Sequence, residues 1–134
     1  MLANAALITP VPVTDLDRAR AFYSDILGLS ILFEDSAQRI IIVGVGGAML
    51  ELGEHAAPSA GHHSCAVFQV ANPQAMDTVV EALRATGVAC ERRDAHVLLD
   101  WDDRDVATFD GRITAWFRDP DGNLLQLYAR DVSA

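Results

Sequence analysis

Residues 15–29 of the chain read DLDRARAFYSDILGL, and this stretch decides the first part of the fold. Its apolar residues recur at intervals of three and four, which is the spacing of one face of an α-helix. The members of this face are Leu16, Ala19, Phe22, Tyr23, Ile26 and Leu27. Thr14 and Asp15 are both candidate N-caps, and Gly28 stands where the chain must leave the helix with a left-handed backbone. We therefore predict an amphipathic helix that begins after these caps and ends at Gly28.

Strand-like segments surround this helix. Residues 7–13 form a short apolar and β-branched run with Pro10 and Pro12 at alternate positions. Because proline has no backbone N–H, this strand should lie at the edge of a sheet, or turn its proline nitrogens away from the ladder. Three more strand-like segments follow the helix, at residues 29–34, 39–43 and 48–52. The first part of the chain is therefore predicted to be one strand, one helix and three strands.

The same order of elements restarts after a connector. Residues 63–70 are predicted to form a strand, and Asn72 followed by Pro73 predicts the start of a second helix, which ends at Gly87. Further strands are predicted at residues 88–91, 96–101, 112–118 and 123–129. The last two are joined by Asp119-Pro120-Asp121-Gly122, a turn in which proline presets φ and glycine takes a positive φ.

This internal repeat predicts an α+β fold of two tandem βαβββ modules in a single domain, residues 1–134. Module one covers residues 5–54, the connector 55–61, and module two 62–131. A unit of this kind buries only one face when it stands alone, so the two units should pack together.

Charge and composition exclude several classes of function. The chain carries 10 Lys and Arg against 19 Asp and Glu, which disfavours nucleic acid as a partner because phosphate contacts depend on cationic side chains. No apolar run approaches the roughly 20 residues of a membrane span, and the N-terminus lacks the basic segment of a signal peptide, so we expect a cytoplasmic protein.

Cys65 and Cys90 are expected to be free thiols. The acidic residues 100–105 are either a solvated loop or an electronegative rim for a cationic ligand.

Two stretches resemble signature segments of one known family. Residues 15–29 are similar to the first-module signature of the glyoxalase, bleomycin-resistance and extradiol-dioxygenase family, the vicinal-oxygen-chelate superfamily. Residues 117–127, FRDPDGNLLQL, resemble its closing hairpin. The resemblance implies that the modules form an open, curled mixed sheet around a concave pocket, with the helices on the outer face. It also implies a homodimer, since members are commonly dimers.

The resemblance further implies four positions at which family enzymes place metal ligands. They fall on Ile8, Glu51, Cys65 and Gln126. Ile8 has no donor atom and Gln126 brings no charge, so we expect no metal or other cofactor. His63 lies on the same face as Cys65, and His62 replaces it if the register differs by one residue. The alternative is a divalent Zn, Ni, Mn or Fe ion held by Glu51, His63 and Gln126.

This set of residues resembles the metal-free branch of the family, of which the bleomycin-resistance proteins are the type. It implies a small-molecule binding protein that sequesters a cationic or aromatic ligand in a dimer crevice, with antibiotic resistance as one such role. The predicted ligand-binding residues are Glu51, His63, Cys65, Trp101, Trp116, Phe117, Leu124, Gln126 and Tyr128. Glu51 is also the candidate catalytic residue, and its alternative role is a structural hydrogen bond to a neighbouring strand or to Gln126. The competing hypothesis is a metal-dependent lyase, isomerase or dioxygenase that uses Glu51 and His63 as ligands.

Overall fold

A computed structural model describes residues 1–56, 64–95 and 98–131. The chain divides into two compact units. The first comprises Met1–Ala60 together with Asp119–Asn123, and the second comprises Gly61–Arg118 together with Leu124–Ala134. Within the described residues the fold consists of two open mixed sheets and two α-helices, which confirms the predicted α+β class. Neither helix is long and apolar enough to span a membrane.

A four-stranded sheet and one α-helix form the first unit. Its elements are β1 (Ile8–Val13), α1 (Leu16–Arg20), β2 (Ser30–Asp35), β3 (Ile40–Val45) and β4 (Ala48–Glu54). The strand order is β1-β4-β3-β2, with β1 parallel to β4 and the other pairs antiparallel. β1 is therefore an edge strand, as its two prolines predicted.

The helix of the first unit begins as predicted but changes its winding. The Asp15 carboxylate accepts a hydrogen bond from the Arg18 backbone N–H, so Asp15 is the N-cap. The helix continues to Ile26 and Gly28 follows with a φ of +72°, as predicted, but residues Ala21–Ile26 wind as a π-helix. Two consecutive aromatic side chains of this segment lie in the core, since Phe22 and Tyr23 are only 4% and 0% exposed.

The two faces of the first sheet carry different side chains. The face towards α1 holds the apolar core of the unit, made by Val11, Val13, Ile41, Val43, Leu50 and Leu52, which are all buried. Each such side chain contributes about 2 kcal/mol when it leaves water. Because side chains alternate along a strand, the residues between them point to the other face. That other face holds Glu51 and is the first part of the candidate site.

A five-stranded sheet and the second α-helix form the second unit. Its elements are β5 (Ala66–Gln69), α2 (Pro73–Ala85), β6 (Asp100–Trp101), β7 (Ala107–Phe109), β8 (Arg112–Arg118) and β9 (Leu124–Arg130), in the sheet order β5-β9-β8-β7-β6. Asn72 caps α2 by accepting a hydrogen bond from the Ala75 N–H, as predicted. Gly87 follows the helix with a φ of +85°.

Several predicted elements of the second unit are corrected. Residues 88–91 form no strand, and Glu91 makes only an isolated bridge with Trp116. Of the strand predicted at 96–101, only Asp100–Trp101 pairs, and residues 96 and 97 lie outside the described part of the chain. β7 was not predicted. Residues 57–63 also lie outside the description, and they include most of the predicted connector and the predicted start of β5.

The turn between β8 and β9 belongs to the first unit, although its flanking strands belong to the second. Asp121 Oδ1 accepts hydrogen bonds from the Thr14 N–H and from the Arg18 guanidinium, at 3.2 and 2.8 Å. The Asn123 side-chain amide donates to the Pro12 carbonyl at 2.7 Å. Residues 119–123 therefore hold the junction at which β1 passes into α1.

Candidate functional site

Glu51 lies on the open face of the first sheet. Its neighbours along β4, Leu50 and Leu52, are 5% and 0% exposed on the opposite face. In the strand register Glu51 stands beside Pro10 of β1 and Ile42 of β3, so its half-buried carboxylate is flanked by apolar side chains. Among residues 1–56, 64–95 and 98–131, no group forms a hydrogen bond or ion pair with it. The structural hydrogen bond considered for Glu51 therefore has no partner in the described residues.

A cavity of about 260 Å³ opens beside the Glu51 carboxylate. Its lining is formed by Pro10, Val11, Pro12, Glu51, Gly53 and His55. The two prolines lack N–H groups, so this stretch of wall offers few hydrogen-bond donors. The cavity thus combines one negative charge with a mainly apolar wall.

His55 is a member of this cavity that sequence reasoning missed. Glu51, Gly53 and His55 occupy alternate positions, so strand periodicity directs all three towards one face, and this signal was available in the sequence. The imidazole lies beside Gly53, since a Cβ at that position would stand at van der Waals distance, 3.5 Å, from His55 Nε2. The His55 backbone N–H donates to the Val13 carbonyl at 2.8 Å, which fixes the chain at the end of β4.

Gln126 occupies the corresponding open face of the second sheet, and hydrogen bonds at both ends fix the orientation of its side-chain amide. Its Oε1 accepts a hydrogen bond from the Ser64 hydroxyl at 3.1 Å, and its Nε2 donates to Thr114 Oγ1 at 2.8 Å. The Thr114 hydroxyl in turn donates to the Leu127 carbonyl at 2.9 Å. Gln126 therefore links β9, β8 and the segment before β5.

Aromatic side chains lie on the same face of the second sheet as Gln126. Trp116 stands opposite Gln126 in the register, and Tyr128 is two residues further along β9. The rings of Trp101 and Trp116 contact each other with centroids 6.0 Å apart and planes tilted by 47°. The Arg92 guanidinium lies 5.5 Å from the Trp101 ring centroid, so one cation already contacts that ring. Half-buried Trp116 and Tyr128 leave aromatic surface for a flat molecule.

Other predicted site residues are placed differently. Phe117 is 1% exposed and pairs with Leu125, so it lies on the core face of the sheet and does not join Trp116. Leu124 shares the face of Gln126 by alternation, but it too is only 1% exposed. Cys65 is half-buried, and its backbone N–H donates to the Leu124 carbonyl at 2.9 Å. His62 and His63 lie outside the described residues.

The residues at the family's metal positions do not fit a metal centre of that kind. Ile8 has no donor atom, and Gln126 uses both ends of its amide in hydrogen bonds to Ser64 and Thr114. In the part of the chain that the structure describes, no group of three His, Cys, Asp or Glu side chains comes together.

The acidic segment 100–105 is a structured turn, and two of its carboxylates are paired with arginine side chains. Asp102 accepts hydrogen bonds from the Val106 and Arg104 N–H groups, and the Arg104 guanidinium reaches Asp77 on α2 at 2.9 Å. Burial raises the pKa of the Asp102 carboxyl, but these hydrogen bonds and the Arg104 charge outweigh burial and hold the pKa below its ordinary value. Asp105 is paired with Arg92 at 2.7 Å. Half of the acids predicted to form an electronegative rim are therefore already neutralised.

Comparison with known proteins identifies similar sequences and folds. The family model of the Glyoxalase/Bleomycin resistance protein/Dioxygenase superfamily matches residues 5–127. No curated protein matches the chain. An integron cassette protein from the mobile metagenome of Halifax Harbour sewage outfall is 22% identical, with a TM-score of 0.70 over 94% of this chain and 98% of that one.

Two similar structures carry names that state an activity or a resistance. Lactoylglutathione lyase from Agrobacterium tumefaciens is 21% identical, with a TM-score of 0.68 over 94% of this chain and 93% of that one. The fosfomycin resistance protein FosX from Listeria monocytogenes is 19% identical, with a TM-score of 0.71 over 99% of this chain and 98% of that one. At these identities the likeness concerns the fold alone.

Proposed function

Since this chain belongs to the Glyoxalase/Bleomycin resistance protein/Dioxygenase superfamily, we propose that it is a metal-free binding protein for a small cationic or aromatic molecule. In this proposal Glu51 receives the positive group of the ligand. Within the second unit, the aromatic face around Trp116 is a separate surface for a flat molecule. No bond is made or broken in the ligand, so the protein acts by sequestration.

The observation that carries the proposal is the carboxylate of Glu51 beside its cavity. A half-buried charge without a partner is costly, because it has lost part of its hydration and gained no hydrogen bond. A bound cation restores that missing interaction, and charge-assisted hydrogen bonds are about twice as strong as neutral ones. The formal net charge of −9 adds a mild attraction for cations.

The aromatic face of the second unit supports the other half of the proposal. Tryptophan and tyrosine rings bury a large apolar area and favour offset contacts with flat ligands. Because Arg92 already contacts Trp101, we expect the rings of Trp116 and Tyr128 to receive a flat group rather than the cationic end of a ligand. Pockets for small molecules commonly combine such apolar walls with a few polar groups.

The metal-dependent alternative would need other donors. With Ile8 at one family position, a metal would depend on Glu51 and on His63, which lies outside the described residues. A lyase, isomerase or dioxygenase would use the ion to bind and polarise substrate oxygens. The composition of the four family positions favours the metal-free proposal.

We also propose that the protein is a cytoplasmic homodimer, as the family resemblance implies. Sedimentation velocity on the purified protein measures the assembly directly. A monomer across the micromolar range would remove the dimer from the proposal and leave ligand binding within one chain.

The proposal is tested by titrating the protein with proflavine, a flat aromatic cation, and following fluorescence and thermal stability. We expect Glu51→Gln to weaken binding about tenfold, because a charge-assisted hydrogen bond contributes about 1.5 kcal/mol. Asp25→Asn is the matched control, since it removes the same charge from an exposed position outside the cavity. Its affinity should equal that of the wild type. Trp116→Ala tests the aromatic face in the same assay.

Metal analysis decides between the two hypotheses. Protein purified without chelator should contain no stoichiometric divalent ion, and added zinc or manganese should not raise its melting temperature. A stoichiometric ion that disappears in Glu51→Gln would refute the metal-free proposal and favour the enzyme. Equal affinities of wild type and Glu51→Gln for proflavine would show that Glu51 does not bind the cation.

A further inference from the structure

The first unit contains a second, larger cavity at the turn between β3 and β4. Its volume is about 460 Å³. It is lined by Gly44, Gly46 and Gly47 together with the side chains of Leu32, Met49 and Ser30. The glycine-rich turn, which has no role in the proposed function, is therefore the wall of a cavity with a mainly apolar lining.

Glycines and a bulge in β2 create this space. The pairing of β2 with β3 shifts register between Ile31 and Phe33, so Leu32 is an extra residue in its strand. A Cβ at Gly44 would stand 3.2 Å from Leu32 Cδ1, so glycine there lets the leucine side chain lie over β3. A Cβ at Gly47 would meet nothing within 4 Å, which leaves that part of the cavity open.

The larger cavity and Glu51 lie on the same face of the sheet. Met49 and Glu51 are two residues apart on β4, and residues with that spacing point to one face about 7 Å apart. Phe33 pairs with Ile42, which pairs with Glu51, so the same face continues as apolar surface. Leu32 and Phe33 are 57% and 52% exposed, so this surface is open to a ligand.

We propose that the molecule bound by the first unit is an amphiphilic cation, with its positive group at Glu51 and an aliphatic group in the cavity beside Leu32 and Met49. This inference rests on the proposed binding of a cation by Glu51 and adds the chemical class of the ligand. The carboxylate supplies charge complementarity at one end. The exposed apolar surface about 7 Å away supplies a hydrophobic gain when an aliphatic group covers it.

The test is a calorimetric titration with n-alkylammonium chlorides from ethyl to octyl, each below its critical micelle concentration. Affinity should rise about fourfold for each methylene group that enters the cavity. The rise should begin once the chain spans about 7 Å, the distance along the strand from Glu51 to Met49. Glu51→Gln should weaken every member of the series by about the same factor, about tenfold.

Two leucine variants separate the cavity from general hydrophobic contact. Leu32→Ala removes part of the cavity wall and should reduce the affinity gain per methylene without changing the affinity for ethylammonium. Leu98→Ala is the matched control, because Leu98 is also an exposed leucine, at 92%, but does not line the cavity. It should keep the full gain with chain length. Circular dichroism melts check that both variants remain folded.

The outcomes distinguish this inference from the proposed function. If affinity is independent of chain length while Glu51→Gln still weakens binding, Glu51 binds cations and the amphiphilic ligand is refuted. If no alkylammonium binds while proflavine does, the amphiphilic ligand is refuted; if Glu51→Gln also leaves the affinity for proflavine unchanged, the proposed function itself fails. If Leu32→Ala changes the sedimentation coefficient and not the chain-length dependence, the apolar surface contacts a second copy of the chain, and the inference is overturned.

Discussion

Removal of the Tyr23 hydroxyl group tests how the turn between β8 and β9, residues 119–123, is held in the first unit. Tyr23 is 0% exposed, and its hydroxyl donates a hydrogen bond to Asp119 Oδ2 at 2.8 Å. Asp119 is itself only 5% exposed. We therefore expect Tyr23→Phe to destabilise the protein through the loss of this buried, charge-assisted hydrogen bond, since the phenyl ring keeps its packing.

The size of the effect follows from what remains around Asp119. Its carboxylate keeps hydrogen bonds from the Asp121 N–H, from the Asn123 N–H and from the Asn123 side-chain amide, at 2.9, 2.9 and 2.8 Å. The charge is therefore not left unpaired, and the cost should be that of one hydrogen bond to a charged group, about 2 kcal/mol. For a chain of 134 residues this corresponds to a fall in melting temperature of about 7 °C.

Urea denaturation followed by tryptophan fluorescence measures this change, and Tyr128→Phe is the control. Tyr128 is half-buried on the open face of the second sheet and makes no hydrogen bond through its hydroxyl to the described residues. Loss of the Tyr128 hydroxyl should lower the free energy of unfolding by less than about 0.5 kcal/mol. Equal free energies of unfolding for Tyr23→Phe and the wild type would refute the role given to the Tyr23–Asp119 hydrogen bond.

Three further predictions follow from individual residues. Burial raises the pKa of the Cys90 thiol, so at pH 8 a maleimide should label half-buried Cys65 first, and mass spectrometry of peptides would detect the opposite order. The folded pKa of Asp102 is lowered, so its contribution to stability is complete above the unfolded pKa of about 4 and is lost as pH falls further. Melting temperatures of Asp102→Asn should therefore fall less steeply below pH 4 than those of the wild type, and parallel curves would contradict this. Gly87 has a φ of +85°, so Gly87→Ala should cost about 1 kcal/mol in chemical denaturation, and a neutral result would mean that the backbone there relaxes.

Local features of the chain were predictable because they depend on neighbours in sequence. Asp15 and Asn72 are N-caps in the structure, and Gly28 and Gly122 have the positive φ that their positions required. These properties follow from side-chain oxygen atoms near free N–H groups and from the missing Cβ of glycine. The edge position of β1 followed from its prolines for the same kind of reason.

Predictions of secondary structure failed where a short segment has little intrinsic preference for strand or loop. β7 (Ala107–Phe109) has three residues and pairs on both sides, with β6 and with β8, so its neighbours in the sheet define it as a strand. Residues 88–91 look like a strand by composition, but only Glu91 finds a partner. β-propensity depends on the packing surface, which the sequence of a short segment does not contain.

The candidate site also combines features that the sequence predicted with features that only the tertiary structure revealed. The doubled order of elements followed from the periodicity and spacing of the sequence, whereas the family and the role of Glu51 followed from the resemblance of residues 15–29 and 117–127 to the family's signature segments. Only the tertiary structure decided that Glu51 has no partner among the described residues and that Ser64 and Thr114 hold Gln126. It also decided that Asp119 meets Tyr23, a residue 96 positions earlier in the chain. Such contacts depend on which strands and turns come together over long separations, and local periodicity carries no information about that.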